Sequence, residues 1–164
     1  HGRIRRQRQM CIRDRSNGEA KEMIEAYFGR FPNISAYIES AKKFVKEHGY
    51  VKTLMGRRRY LPDIESENWN ARAFAERAAI NMPIQGTAAD IIKVAMLSID
   101  QWMREENSKS RMLLQVHDEL IFELHEDEKD WVPKTIVEKM EQAIELLVPL
   151  KVEWGVGNQW LAAH

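Results

Sequence analysis

Apolar residues recur at three- and four-residue spacings in the first part of the chain, which predicts two amphipathic helices. The first helix starts at Gly18, ends at Pro32 and carries Met23, Ile24, Tyr27, Phe28 and Phe31. The second helix ends near Gly49 and carries Ile34, Tyr37, Ile38, Ala41, Phe44 and Val45. The segment YVKTLMGRRRYLPDI then predicts two short strands around Met55-Gly56.

The longest helical pattern runs from Trp69 to about Met103 and contains Pro83, which should bend it locally. After that proline, an apolar stripe predicts a buried face made of Ile84, Ala88, Ile91, Ile92, Ala95, Met96 and Ile99. Arg77, Asn81 and Gln85 follow one another in steps of four, so their donor-bearing side chains share one helix face. Taken alone, that spacing is typical of an exposed polar face.

A polar loop, ENSKS, leads into RMLLQV and ELIFEL, which predict a hairpin. Residues 128–147 have the pattern of an amphipathic helix whose inward residues are Trp131, Val132, Ile136, Met140, Ala143, Ile144 and Leu147. The segment LKVEWGVG alternates like one last strand. This order of elements indicates an α+β fold in which helices cover an antiparallel sheet.

Three polar residues, His117, Asp118 and Glu119, interrupt the most strand-like segment of the chain, LLQVHDELIFEL. A tight turn explains an aspartate at this place, because Asp favours turns. A carboxylate held at the tip of a rigid hairpin is also suited to binding a metal ion. Both explanations remain open at the level of the residues.

Composition narrows the possible classes of protein. The 164 residues are 44% hydrophobic, enough for a core, and no apolar run is long enough to cross a bilayer, which predicts a cytoplasmic protein without a membrane partner. The single cysteine, Cys11, excludes an internal disulfide and a cysteine-based zinc site.

The net charge of zero conceals an asymmetric distribution. Residues 1–16 hold six arginines and one aspartate, which leaves 19 basic and 24 acidic residues in the rest of the chain. Bulk charge therefore does not predict a nucleic-acid partner, and a local basic surface would be needed. We interpret residues 1–17 as a disordered or foreign segment, with a basic nucleic-acid-binding arm as the alternative. The run Arg57–Arg59 predicts either a solvated turn or a phosphate contact.

Three motifs carry a resemblance to a known family. In order and spacing, GYVKTLMGRRRYLPDI, ERAAINMPIQGTAADIIKVAM and LLQVHDELIFE closely resemble the carboxy-terminal part of family A DNA polymerases, the bacterial polymerase I type. The ending VPLKVEWGVGNQW is similar to that family as well. The resemblance covers Gly18 to His164 and implies a partial fingers subdomain over residues 18–76 and a partial palm subdomain with a catalytic hairpin over residues 77–164.

The resemblance also implies roles for individual residues. Asp118 matches a ligand of the two Mg²⁺ ions used in nucleotidyl transfer, and Glu119 matches a nearby acid that supports the catalytic site. His117 matches a residue that contacts the primer terminus. Arg77, Asn81 and Gln85 match positions along the minor groove of the primer-template, where donors contact acceptors that every base pair presents.

Two parts of the family pattern are absent from this sequence. The motif with the other catalytic aspartate and the cationic fingers helix that binds the nucleotide would both lie upstream of Gly18. We therefore expect an incomplete polymerase domain that is inactive as an isolated piece, and a monomer when complete. Its expected partners are primer-template DNA and deoxynucleoside triphosphates. The alternative is a primer-template binding module without chemistry, in which Asp118 is vestigial.

Overall fold

The computed structural model describes residues 17–159 and residue 162. The opening segment, residues 1–16, lies outside the described residues, so its predicted character stays a prediction. None of the helices in the described part of the chain is both long and apolar enough to span a membrane. Helices and short antiparallel strands are both present, which confirms the predicted α+β class. The chain divides into two compact units.

The first unit contains the residues up to Val51 together with Tyr60–Ile80. It begins with α1 (Asn17–Arg30) and α2 (Pro32–His48), which confirm the two predicted helices. Pro32 occupies the first turn of α2, where a missing N–H costs nothing. Gly49 ends α2 in the left-handed conformation, with φ of 74° and its N–H donating to Val45 O at 2.8 Å.

The apolar faces of these two helices are only partly buried. On α2, Ala41 and Val45 are buried, whereas Ile34 is exposed. On α1, four of the five apolar side chains are exposed, namely Met23, Ile24, Tyr27 and Phe31. The spacing therefore identified the helices correctly, although most of the apolar face of α1 is not covered by the described residues.

A short hairpin follows, with β1 (Tyr50–Lys52) and β2 (Arg58–Tyr60) in a two-stranded sheet, as predicted. A 3₁₀ helix, Pro62–Glu65, follows β2 and buries Ile64. The long helix α3 (Trp69–Glu105) confirms the predicted helix and keeps Pro83 inside it. Its stripe is buried at Ile92, Ala95 and Ile99, whereas the predicted burial of Ile84 and Ala88 is wrong.

The second unit contains Lys52–Arg59 and the residues from Asn81 onward. Its hairpin is formed by β3 (Arg111–Val116) and β4 (Glu119–Glu123), which pair antiparallel with Val116 opposite Glu119. The ladder shifts register between Met112 and Leu114, where a bulge is accommodated. A 3₁₀ helix, Glu126–Glu128, leads to α4 (Val132–Glu141).

The apolar core of this unit lies where α3 meets α4 and the hairpin. Ile99 and Val132 are completely buried and are joined by Met103 and Ile136. The partly buried hydrophobic residues that surround them come from all of these elements and are Trp102, Leu120, Phe122, Leu124 and Met140. This packing fixes the base of the hairpin and leaves its turn in solvent.

The predicted end of the chain is wrong in two respects. The helix expected over 128–147 is limited to Val132–Glu141, with Trp131 at its N-cap and Pro133 in its first turn, and Leu147 is exposed. The strand expected in LKVEWGVG does not form in the described residues. The N–H of Val152 instead donates to the Glu141 carboxylate at 3.1 Å, so it is not available to a neighbouring strand.

Candidate functional site

The turn that joins β3 to β4 consists of only two residues, His117 and Asp118. His117 has a φ of 54°, and Asp118 does not share this positive φ. A positive φ at the first central residue of a two-residue hairpin turn is a conformation that glycine normally adopts. Gln115 supports the turn, because its Nε2 donates to His117 O at 2.7 Å. The hairpin therefore holds its tip in a defined, strained conformation.

The carboxylate of Asp118 is exposed at this tip. It makes no hydrogen bond or ion pair with any other residue that the structure describes. Glu119 is also exposed, begins β4, and does interact with other residues. The structure thus brings His117, Asp118 and Glu119 together at one turn, as the sequence indicates.

Carboxylate oxygens are the ligands that Mg²⁺ prefers, so the chemistry of Asp118 fits such an ion. No group of three or more His, Cys, Asp or Glu side chains suited to holding a metal ion occurs within residues 17–159. Asp118 can therefore contribute a ligand, but the described residues do not by themselves form a complete cluster.

The other predicted site residues lie along α3. Arg77, Asn81 and Gln85 are all exposed, and their side chains make no hydrogen bond or ion pair with the remaining described residues. Each step of four residues rotates the side chain by about 40° around the helix axis, so the three follow one stripe. The stripe offers a guanidinium and two amides to solvent as hydrogen-bond donors.

A structural anchor lies beside this stripe and was missed at the level of sequence. Arg57 donates from Nε to Asp90 Oδ1 at 2.8 Å and from Nη2 to Gly86 O at 2.9 Å. The neighbouring Thr53 hydroxyl and the Arg57 guanidinium lower the pKa of the buried Asp90 carboxyl. Arg57 lies in the connection between β1 and β2 and its side chain is 47% exposed, but it is held by these contacts, and the predicted phosphate contact stays a prediction. The available signal was an aspartate within the otherwise apolar run AADII.

A second missed feature fixes the loop before β3. Glu128 is buried and accepts hydrogen bonds from the hydroxyl of Ser108 at 2.7 Å, from Lys109 N at 2.8 Å and from Ser110 N at 2.9 Å. The Ser110 hydroxyl is the largest cause that lowers the pKa of Glu128, to about 2. No pattern in the sequence distinguishes Glu128 from the acids around it, since it lies in the charged run EDEKD.

The predicted site residues thus lie in two exposed features, a carboxylate at the tip of a two-residue turn and a stripe of donors on a long helix. The family model described as DNA polymerase family A matches residues 5–162. The chain therefore belongs to DNA polymerase family A.

Curated relatives agree with this assignment. The chain is 51% identical over 148 residues to DNA polymerase I of Bacillus caldotenax. These 148 residues are 90% of the chain and 17% of that relative. It is also 49% identical over 148 residues to DNA polymerase I of Mycobacterium tuberculosis, and this aligned region is 90% of the chain and 16% of the relative. The chain thus spans about one sixth of the length of these relatives.

A solved structure is similar over the same region. It is the polymerase domain of Pol1 from M. smegmatis in complex with DNA primer-template and dNTP, with a TM-score of 0.88 and 48% sequence identity. The similarity covers 90% of this chain and 26% of that one. The fold described above is therefore that of one part of a polymerase domain.

Proposed function

We propose that this chain is the carboxy-terminal part of a DNA-directed DNA polymerase that adds deoxynucleotides to a primer 3′ end during DNA replication or repair. The observation that carries the proposal is the exposed Asp118 carboxylate, which has no partner among the described residues and lies at the tip of a strained two-residue turn in a family A chain. Residues 18–76 would form part of the fingers and residues 77–164 part of the palm.

Asp118 would hold Mg²⁺, and Glu119 beside it would support the site. When bound, two such ions lower the pKa of the primer hydroxyl and stabilise the charge that develops on the transferred phosphoryl group. The protein's own contribution is to hold the Asp118 carboxylate in place, through the short turn and the buried base of the hairpin. His117, the first residue of that turn, would contact the primer terminus.

The exposed stripe of Arg77, Asn81 and Gln85 would lie along the minor groove of the primer-template. Acceptors on purine N3 and pyrimidine O2 occur at equivalent places in every base pair, so donors there can test pairing geometry without selecting a sequence. The exposure of these side chains and their lack of partners among residues 17–159 support this role.

We expect the 164-residue chain alone to be inactive, because Asp118 is one carboxylate where two hydrated ions must be held. The test uses a complete polymerase domain in which residues 18–164 replace the matching part of the Bacillus caldotenax relative. Asp118→Asn should reduce primer extension by at least about a thousand-fold, because it removes the negative charge that would bind the metal ions. The affinity for DNA should change little. Glu123→Gln, which changes an exposed acid at the far end of β4, is the matched control.

Three outcomes separate the possibilities. Loss of extension with DNA affinity retained supports the polymerase. Equal extension by Asp118→Asn and the parent refutes the role of Asp118. A parent hybrid that binds primer-template but never extends it favours a binding module without chemistry.

A further inference from the structure

The helix α3 has a local weakness just before Gln85. Pro83 has no N–H, so the carbonyl of Ala79 lacks its usual partner four residues later. Gln85 is exposed, and its side chain has no partner among the described residues. The direction in which Gln85 points therefore depends on how firmly the next two turns of helix, residues 84–90, are held.

The loop between β1 and β2, residues 53–57, contacts these two helical turns at three places. The N–H of Leu54 donates to Thr87 Oγ1 at 2.9 Å. The guanidinium group of Arg57 donates to Gly86 O and to Asp90 Oδ1, so one planar group joins residues that are one helical turn apart. Gly86 allows this close approach, because a Cβ at that position would lie 2.7 Å from Thr53 Cγ2.

The Arg57–Asp90 contact is an ion pair between a half-exposed guanidinium and a buried carboxylate. The Asp90 side chain is only 9% exposed, and its second oxygen, Oδ2, makes no hydrogen bond with any described residue. A buried carboxylate with one cationic partner is destabilised strongly when that partner is removed. The pair therefore fixes the loop to the helix, and a residue at position 57 that cannot make the same hydrogen bonds should weaken this attachment.

We propose that Arg57 is a positioning residue for Gln85: its paired hydrogen bonds to Gly86 and Asp90 hold the turn that aims Gln85 at the primer-template. The proposal rests on the proposed function. Arg57 does not contact DNA in this scheme and acts only through the helix. Lysine keeps the charge but offers no planar fork, so Arg57→Lys should keep the attraction and lose the orientation.

The first experiment measures hydrogen exchange in the 164-residue chain. Arg57→Lys should increase amide exchange over residues 84–90 several-fold and leave α2 unchanged, because local opening follows the loss of local contacts. Arg104→Lys, which alters the exposed Arg104–Asp100 pair on the same helix, is the matched control and should change little. Unchanged exchange over residues 84–90 in Arg57→Lys would overturn the proposal, whether or not the chain is part of a polymerase.

The second experiment measures extension of matched and mismatched primers by the hybrid polymerase. Arg57→Lys should lower the preference for matched termini by about five-fold when Gln85 is present, and by less than about two-fold in a Gln85→Ala background. Equal effects in both backgrounds would show a merely structural role and contradict the proposal. A hybrid with no extension at all would instead refute the proposed function, while the exchange experiment still decides whether Arg57 holds the turn.

Discussion

The carboxylate of Glu128 and residue Ser110 are joined twice, since both the backbone N–H and the hydroxyl of Ser110 donate to Glu128 Oε2, at 2.9 and 2.5 Å. The same hydroxyl accepts from His125 N at 3.0 Å. One buried acid therefore ties the loop before β3 to the segment that follows β4. The base of the candidate catalytic hairpin is closed by this contact.

A pH dependence follows from the lowered pKa of Glu128. Its pKa is about 2 in the folded chain against 4.5 ordinarily, so it contributes stability above pH 4.5 and loses that contribution as the pH falls toward 2. Glu128→Gln should lower the free energy of unfolding at pH 7 and reduce its dependence on pH between 4.5 and 2. Asp90, Asp127 and Lys109 also titrate with shifted pKa values, so the difference between variant and parent is the quantity to measure.

Urea unfolding at a series of pH values checks this prediction. Glu126→Gln is the control, because Glu126 is exposed and pairs only with Lys129 on the surface. If the two variants show the same dependence on pH, Glu128 does not hold the loop in the way the contacts indicate.

Substitution by alanine should change the stability of the chain in opposite directions at Gly86 and at Gly29. Gly86→Ala places a methyl group 2.7 Å from Thr53 Cγ2, and crowding of this kind costs about 1–3 kcal/mol. Gly29→Ala, in the helix α1 with nothing within 4 Å of the added carbon, should instead stabilise the chain by about 0.5–1 kcal/mol. Thermal unfolding of both variants measures the difference.

A third variant identifies the cause. Thr53→Ser removes the crowded methyl but keeps the hydroxyl that accepts from Arg57 N at 3.1 Å. The double variant should therefore recover most of the stability that Gly86→Ala loses. Additive losses would mean that the contact with Thr53 is not what makes glycine necessary at this position.

The sequence predicted those features that depend on local spacing. The helices α1, α2 and α3 and both hairpins follow from three- and four-residue periodicity, from alternation and from Pro32 and Gly49 as breaks. His117, Asp118 and Glu119 could be placed at the tip of one hairpin because they are consecutive and separate two strand-like segments, although Glu119 is already the first residue of β4. Local patterns were sufficient for these elements.

Features that depend on distant partners could not be predicted. Periodicity shows which face of a helix is apolar, but not whether anything covers it, and Ile84 is exposed for this reason. The Arg57–Asp90 pair joins residues 33 positions apart, and the partners of Glu128 lie 18 to 20 positions away. The alternation in LKVEWGVG predicts a strand only if a neighbouring strand is available to bond with it.

The strained turn gives a prediction about backbone conformation. At a φ of 54°, His117→Val should destabilise the chain by about 1–2 kcal/mol, because a β-branched residue is poorly accommodated there. His117→Asn should remain within about 0.5 kcal/mol of the parent, since asparagine tolerates the left-handed region. Glu123→Val on the exposed face of β4 controls for hydrophobicity. Equal losses for valine at both positions, measured by urea unfolding, would contradict a strained turn.

Two aliphatic residues on α3 test whether the second unit has a true core. Ile99 is completely buried among Met103, Val132 and Ile136, so Ile99→Ala should cost about 2–5 kcal/mol through lost burial and the cavity left behind. Leu97, two positions earlier on the same helix, is 71% exposed, and Leu97→Ala should change the stability of the 164-residue chain by less than about 0.5 kcal/mol.

The same pair of variants, compared in the 164-residue chain and in the hybrid polymerase, shows whether other parts of a polymerase domain cover Leu97. Ile99→Ala should destabilise both proteins by a similar amount, because the neighbours of Ile99 are already present in the 164-residue chain. If another part of the polymerase domain covers Leu97, Leu97→Ala should destabilise only the hybrid, because only there does the shorter side chain remove buried apolar area. Chemical denaturation of all four proteins measures this difference, and an equal, small effect of Leu97→Ala in both contexts would mean that this part of α3 stays in solvent.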